Sequence, residues 1–103
     1  MVAIWRVVVL PAAKAEMVEA QQWYEVQLPG LGRQFRSALD EQLARLRSDP
    51  LRFPVILDDI QRVRLKRFPY SLFFRIRNDV VGVMACFHAR RDPKVWQSRR
   101  FLT

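Results

Sequence analysis

The sequence predicts one α+β domain over residues 1–103: an N-terminal strand, an antiparallel helical hairpin packed on a mostly antiparallel sheet, and a short basic tail or helix. Three observations carry that expectation. A β-branched run opens the chain and is closed by Pro11. Two helix-period stretches follow, separated by Pro29-Gly30. From Arg62 onward the period changes to two, as in half-buried strands.

The elements follow in order. Trp5 to Leu10 reads as a short buried strand. Over residues 12 to 28, Ala13, Met17, Ala20, Tyr24 and Leu28 recur at spacings of four, three, four and four, which places them on one helix face. Trp23 and Tyr24 read as helix packing. Pro29-Gly30 stops this helix, and a second runs from about Leu31 to Ser48 with Phe35, Ala38, Leu39, Leu43 and Leu46 on its stripe. So short a link implies an antiparallel pair. Asp49-Pro50 ends it, and Pro50 and Pro54 punctuate a loop to about Asp59.

In Arg62-Val63-Arg64-Leu65-Lys66 cations alternate with apolar residues, so Arg62, Arg64 and Lys66 are expected on one face. In the next strand Tyr70, Leu72, Phe74 and Ile76 face one way, and Ser71, Phe73, Arg75 and Arg77 the other. Asn78-Asp79 is a two-residue turn. Val80 to Phe87 is nearly all apolar, as an interior strand would be. Phe35, Leu39, Leu43, Leu72, Phe74 and Ile76 are expected to share a core.

Charge divides the chain. Met1 to Asp59 holds seven Lys/Arg against eight Asp/Glu, a balance of −1; Ile60 to Thr103 holds eleven against two, +9; together they give +8. Fifteen of the eighteen cations are Arg, whose planar fork of donors fits a carboxylate or phosphate bidentately. Such a half-molecule is suited to a polyanion, either a nucleic acid or an acidic protein segment. The structural alternative is a solvated basic surface.

Several chemistries are excluded or disfavoured. One cysteine, Cys86, leaves no internal disulfide framework and no Cys-based zinc site; with one histidine as well, no metal cluster can be drawn, and no cofactor is expected. The opening apolar run is too short for a membrane span and lacks the basic start and cleavage site of a signal peptide, so a cytoplasmic protein is the default. No Gly-rich phosphate loop and no Ser/His/Asp arrangement is present. His88, the one neutral-range titrating side chain, is read first as a structural histidine bonded to a backbone carbonyl, and second as a general base. Asp92 is read as the salt-bridge partner of a neighbouring Arg before Pro93. The basic tail (Arg90, Arg91, Lys94, Arg99, Arg100) is expected to approach the strand cations Arg62, Arg64 and Arg75 and form a groove. Trp96 either stacks on a base or, by preference, packs the tail onto the sheet.

In Ala20-Gln21-Gln22-Trp23-Tyr24, Pro29-Gly30-Leu31-Gly32-Arg33-Gln34-Phe35, Arg67 to Ile76, and His88-Ala89-Arg90-Arg91-Asp92-Pro93-Lys94-Val95-Trp96, the chain resembles the RelE/ParE toxins of bacterial type II toxin–antitoxin modules, or plasmid stabilization proteins. The resemblance covers nearly the whole chain and lies closer to the ParE-like branch. It implies a cognate antitoxin whose acidic C-terminal part wraps the toxin, with a toxin–antitoxin heterotetramer among the assemblies it allows. The antitoxin- or target-binding residues would be Arg62, Arg64, Arg75, Arg77, Arg90, Arg91, Trp96 and Arg99.

Two targets follow from the resemblance. ParE-type members poison DNA gyrase by binding; RelE-type members cut mRNA in the ribosomal A site. Arg64, Lys66 and Arg90 match basic positions of the nuclease pattern, and His88 is its candidate proton exchanger. Ser71 falls where nucleases commonly carry Arg, and Trp96 where some carry a catalytic Tyr; an indole N–H donates a hydrogen bond but has no acid proton to give. The ParE-like target is therefore expected, with the mRNA endonuclease as the alternative and a toxin that only binds its antitoxin as a third.

Overall fold

A computed structural model of the chain describes residues 4–92, 94–97 and 99, without the Trp96 side chain. The expected positions of Pro93, Arg100 and the Trp96 ring lie outside the described residues. The element order is β1 (Arg6–Val9), α1 (Pro11–Gln27), α2 (Leu31–Ser48), a 3-10 turn (Pro50–Arg52), β2 (Val55–Leu57), β3 (Ile60–Arg64), β4 (Tyr70–Arg77), β5 (Val80–His88) and α3 (Lys94–Gln97). The strands form one sheet in the order β1-β5-β4-β3-β2. β1 pairs with β5 in parallel and the other pairings are antiparallel. The helical hairpin covers one sheet face, which makes this the expected α+β architecture.

The hairpin follows from two glycines. Gly30 takes a left-handed φ of 92°, open to a residue without a Cβ. Gly32 lies where a Cβ would come 2.8 Å from the backbone oxygen of Gln21, so the helices approach too closely for a side chain. The Glu25 carboxylate then accepts the N–H groups of Gly30 and Gly32, at 3.0–3.1 Å, and supplies the N-terminal cap that α2 lacks in its own sequence.

The main core lies between the hairpin and the sheet. Phe35, Leu39, Leu72 and Phe74 have no exposed surface, Leu43 is buried beside them, and Ile76 packs against the cluster. Burying such a side chain is worth about 1.5–3 kcal/mol. Phe35 ties the layers together, with Tyr24 of α1, Phe68 and Tyr70 each 5.2 Å or less from it or from one another's rings at the α1–α2–β4 corner. Phe73, Ile60, Met84, Ala85 and Phe87 form a second cluster on the opposite face. Its register is set by a bulge: Phe73 pairs with Ala85 and Phe74 with Val83, leaving Met84 as the extra residue.

Four expectations need correction. β1 is an edge strand and only partly buried, because among the described residues no strand pairs with its far side. The stretch before Asp59 is not all loop: it contains the 3-10 turn and β2, held to β3 by buried Gln61, whose Nε2 donates to the carbonyls of Pro50 and Phe53, both at 2.9 Å. Leu28 is 58% exposed, since the helix has ended and its backbone is extended. Lys66 does not join Arg62 and Arg64: β3 ends at Arg64, Arg67 turns left-handed with φ 71°, and the Lys66 ammonium meets Glu41 of α2 at 2.8 Å.

Candidate functional site

The sheet face opposite the hairpin carries a groove of about 690 Å³. Arg62 and Arg64 enter from β3, where they pair with Phe73 and Ser71 of β4. Phe73 and Phe87 supply apolar walls, and Ile56 and Leu57 of β2 stand 36% and 38% exposed at one rim. His88, Arg91 and Gln97 close the other end. Alternation along β3 and β4 sends Val63, Leu72 and Phe74 to the hairpin side and Arg62, Arg64 and Phe73 to this side. The result is a groove that sets guanidinium groups beside aromatic walls, which suits a carboxylate-bearing segment with apolar residues between its charges.

Of the residues expected here, Arg62, Arg64, His88 and Arg91 come together. Arg75 and Arg77 do not line the groove: both reach Asp59, Arg75 Nε at 2.8 Å from Oδ1 and Arg77 at Oδ2. Those guanidinium groups, Arg77 first, hold the Asp59 carboxyl below its ordinary value, against a smaller opposing effect of burial. Lys66 similarly lowers Glu41 by hydrogen bond and charge. The Arg90 side chain is exposed on the turn after β5. The Trp96 ring lies outside the described residues.

His88 departs from the expected bonding. Its Nδ1 accepts the backbone N–H of Arg90 at 3.0 Å, so it does not use this nitrogen to donate to a carbonyl. Its ring meets Tyr70 edge-to-face at 5.2 Å. Asp92 also differs: among the described residues its carboxylate accepts the Lys94 backbone N–H at 2.9 Å, a local cap for α3, and makes no ion pair. Cys86 is buried, and burial, with the Glu16 carboxylate beside it, pushes its thiol up to about 12; it carries no thiolate at neutral pH.

A residue missed by sequence reasoning anchors the tail. Glu16 of α1 accepts both terminal nitrogens of Arg99, at 3.0 and 2.8 Å, the Arg91 guanidinium at 3.4 Å and the Cys86 backbone N–H at 3.0 Å. It falls three residues after Ala13 and one before Met17, inside the buried stripe. An acid in such a place is the signal that could have singled it out, since a buried charge is paired. Arg91 and Arg99 also lie over the Phe87 ring, 4.2 and 5.2 Å from its centroid. Between α1 and the end of β5 is a further pocket of about 410 Å³, walled by Trp23, Tyr24, Tyr70 and His88.

Among the described residues, no group of three or more His, Cys, Asp or Glu side chains is placed to hold a metal ion. None of their helices is long and apolar enough to cross a membrane.

Comparison with known proteins adds to this geometry. A family model described as the ParE toxin of type II toxin–antitoxin system, parDE, matches residues 7–93. Among solved structures, a chromosomal ParDE toxin–antitoxin system from P. aeruginosa is similar at 17% identity with a TM-score of 0.74, covering 84% of this chain and 97% of that one. The toxin–antitoxin complex RelBE2 from Mycobacterium tuberculosis is similar at 21% identity with a TM-score of 0.59, covering 82% and 98%. At these identities the two structures establish a shared fold. No protein of curated function matches the sequence.

Proposed function

The chain belongs to the ParE toxin family of type II toxin–antitoxin systems, and from that premise we propose that it arrests growth by binding DNA gyrase without cutting RNA, and that a cognate antitoxin neutralises it by laying an acidic segment along the basic sheet groove. The observation that carries the choice of target is the dispersal of the nuclease-type set. Phosphodiester cleavage needs cations gathered around the scissile phosphate and a positioned proton exchanger. Here Lys66 is held at 2.8 Å by Glu41 of α2, and Arg64 lies in the groove without it. His88 has Nδ1 engaged by Arg90. Ser71, opposite Arg64, adds no charge. What remains is a surface of forks and rings, fit for protein recognition.

One observation favours the ribosome-dependent mRNA endonuclease as a second reading: His88 lines the same groove as Arg62, Arg64 and Arg91. Induction of the toxin in growing cells separates the two. Gyrase binding predicts stalled replication and a DNA-damage response while protein synthesis continues at first. Rapid loss of translation with cuts in ribosome-bound mRNA would replace this reading with the second.

A further inference from the structure

β1 accompanies β5 only as far as Val83. Beyond that point the β5 edge is served by side chains. The Met84 carbonyl accepts Arg99 Nη1 at 2.8 Å, and the Cys86 N–H donates to Glu16 Oε1 at 3.0 Å. A carbonyl and the N–H two residues on are the groups that one residue of a neighbouring parallel strand would engage. The Glu16–Arg99 pair thus stands in for a strand residue. The two side chains are also joined to each other bidentately, with Glu16 10% exposed and Arg99 21% exposed.

The start of the C-terminal arm is also tied by backbone, with the Ala89 N–H donating to the Pro69 carbonyl at 2.8 Å. Residues 89–92 are exposed, as are Lys94, Val95 and Gln97 of α3. Yet the arm supplies Arg91 and Gln97 to the groove. Arg91 shares the Glu16 carboxylate and lies over Phe87, the same ring that Arg99 covers. One carboxylate on α1 therefore fixes two guanidinium groups around one groove wall.

We propose that Glu16 is a positioning residue for the basic arm: it holds Arg91 and Arg99 against Phe87 in the geometry in which the groove receives an acidic segment. This rests on the groove being that segment's site. The role has a sign that charge alone does not share. Glu16→Gln keeps an oxygen for the Cys86 N–H and adds one net positive charge. Simple attraction then strengthens binding of an acidic ligand, whereas loss of positioning weakens it.

The test uses the full chain, Glu16→Gln and Arg99→Lys, which preserves charge but loses the fork. The arm is read by the rate of tryptic cleavage after residue 99 in the wild type and Glu16→Gln, because a guanidinium held by Glu16 is withheld from the protease, and after Lys94 in all three proteins. The groove is read by the affinity of a fluorescent poly-L-glutamate peptide at low salt. Cleavage accelerated about tenfold with peptide affinity lowered about tenfold is the expected result, the scale of losing a charge-assisted bidentate contact. Unchanged cleavage in both variants overturns the proposal. Accelerated cleavage with unchanged or tighter peptide binding overturns it too, since the arginines would then act as point charges. If the wild type fails to bind the peptide while Glu16→Gln still frees the arm, anchoring by Glu16 is upheld and the groove's role in acidic recognition falls.

Discussion

The backbone N–H of Arg90 donates to Nδ1 of His88 at 3.0 Å, closing the turn that leaves β5. Nδ1 accepts in this bond, which leaves Nε2 as the ring's donor nitrogen. The histidine then serves the turn, and its ring rests on Tyr70. His88→Asn keeps an acceptor near the Nδ1 position and removes proton exchange. Growth arrest should persist and stability change by about 1 kcal/mol or less, the scale of one hydrogen bond. Arrest lost at unchanged stability would give His88 a chemical role.

The contact between α1 and α2 sets a second expectation. At Gly32 a Cβ would stand 2.8 Å from Gln21 O and 2.9 Å from a Glu25 oxygen. A backbone oxygen cannot rotate away, and the Glu25 cap would be displaced with it. Gly32→Ala should therefore destabilise by about 1–3 kcal/mol from overpacking, against the roughly 1 kcal/mol that alanine gains over glycine in a helix. Urea unfolding of the two proteins measures the balance; a stabilised variant would contradict the close packing.

Charge reversal separates the groove from the Asp59 corner. Arg64 faces the groove, whereas Arg75 and Arg77 are paired with Asp59. Arg64→Glu should weaken antitoxin binding by at least about tenfold and flatten its salt dependence, as expected where a charge faces its partner. Arg77→Glu should weaken it much less and act mainly on stability. Calorimetric titration at two salt concentrations would show the order, and the reverse order would move the site to the Asp59 end.

Asp59 also predicts a pH response. Its carboxyl is held below the ordinary 3.8 in the folded chain, chiefly by Arg77 and then Arg75. A depressed folded value means that its stabilisation is present above the unfolded value and is lost as pH falls through the folded one. Asp59→Asn should thus lower stability near neutral pH and leave a shallower loss below about pH 4. Parallel acid-unfolding curves for the two proteins would remove Asp59 from the acid response.

The hairpin and the central strands were legible because their signals are local and repeated. Phe35, Leu39 and Leu43 mark α2 by spacing alone, and Leu72 and Phe74 mark the buried face of β4 by alternation. β2 was not legible: three residues are too few to show a period, and its partner Gln61 is a polar residue that is buried only because Pro50 and Phe53 offer it carbonyls. The groove was partly legible. Arg62 and Arg64 could be placed by alternation, but Lys66 lies just past the strand end, where alternation no longer governs direction. The pairing of Glu16 with Arg99 spans 83 residues, and only the folded chain brings the two together.

The proposed binding of gyrase is open to one direct measurement. The direct measurement sets the purified full chain against gyrase supercoiling of plasmid DNA and, in parallel, against ribosome-bound mRNA in a translation mixture. Gyrase binding predicts dose-dependent loss of supercoiling, relieved by the antitoxin, retained in His88→Asn and weakened in Arg64→Glu, with the mRNA intact. Supercoiling untouched while mRNA is cut at the ribosome, with cutting abolished by His88→Asn, would contradict it.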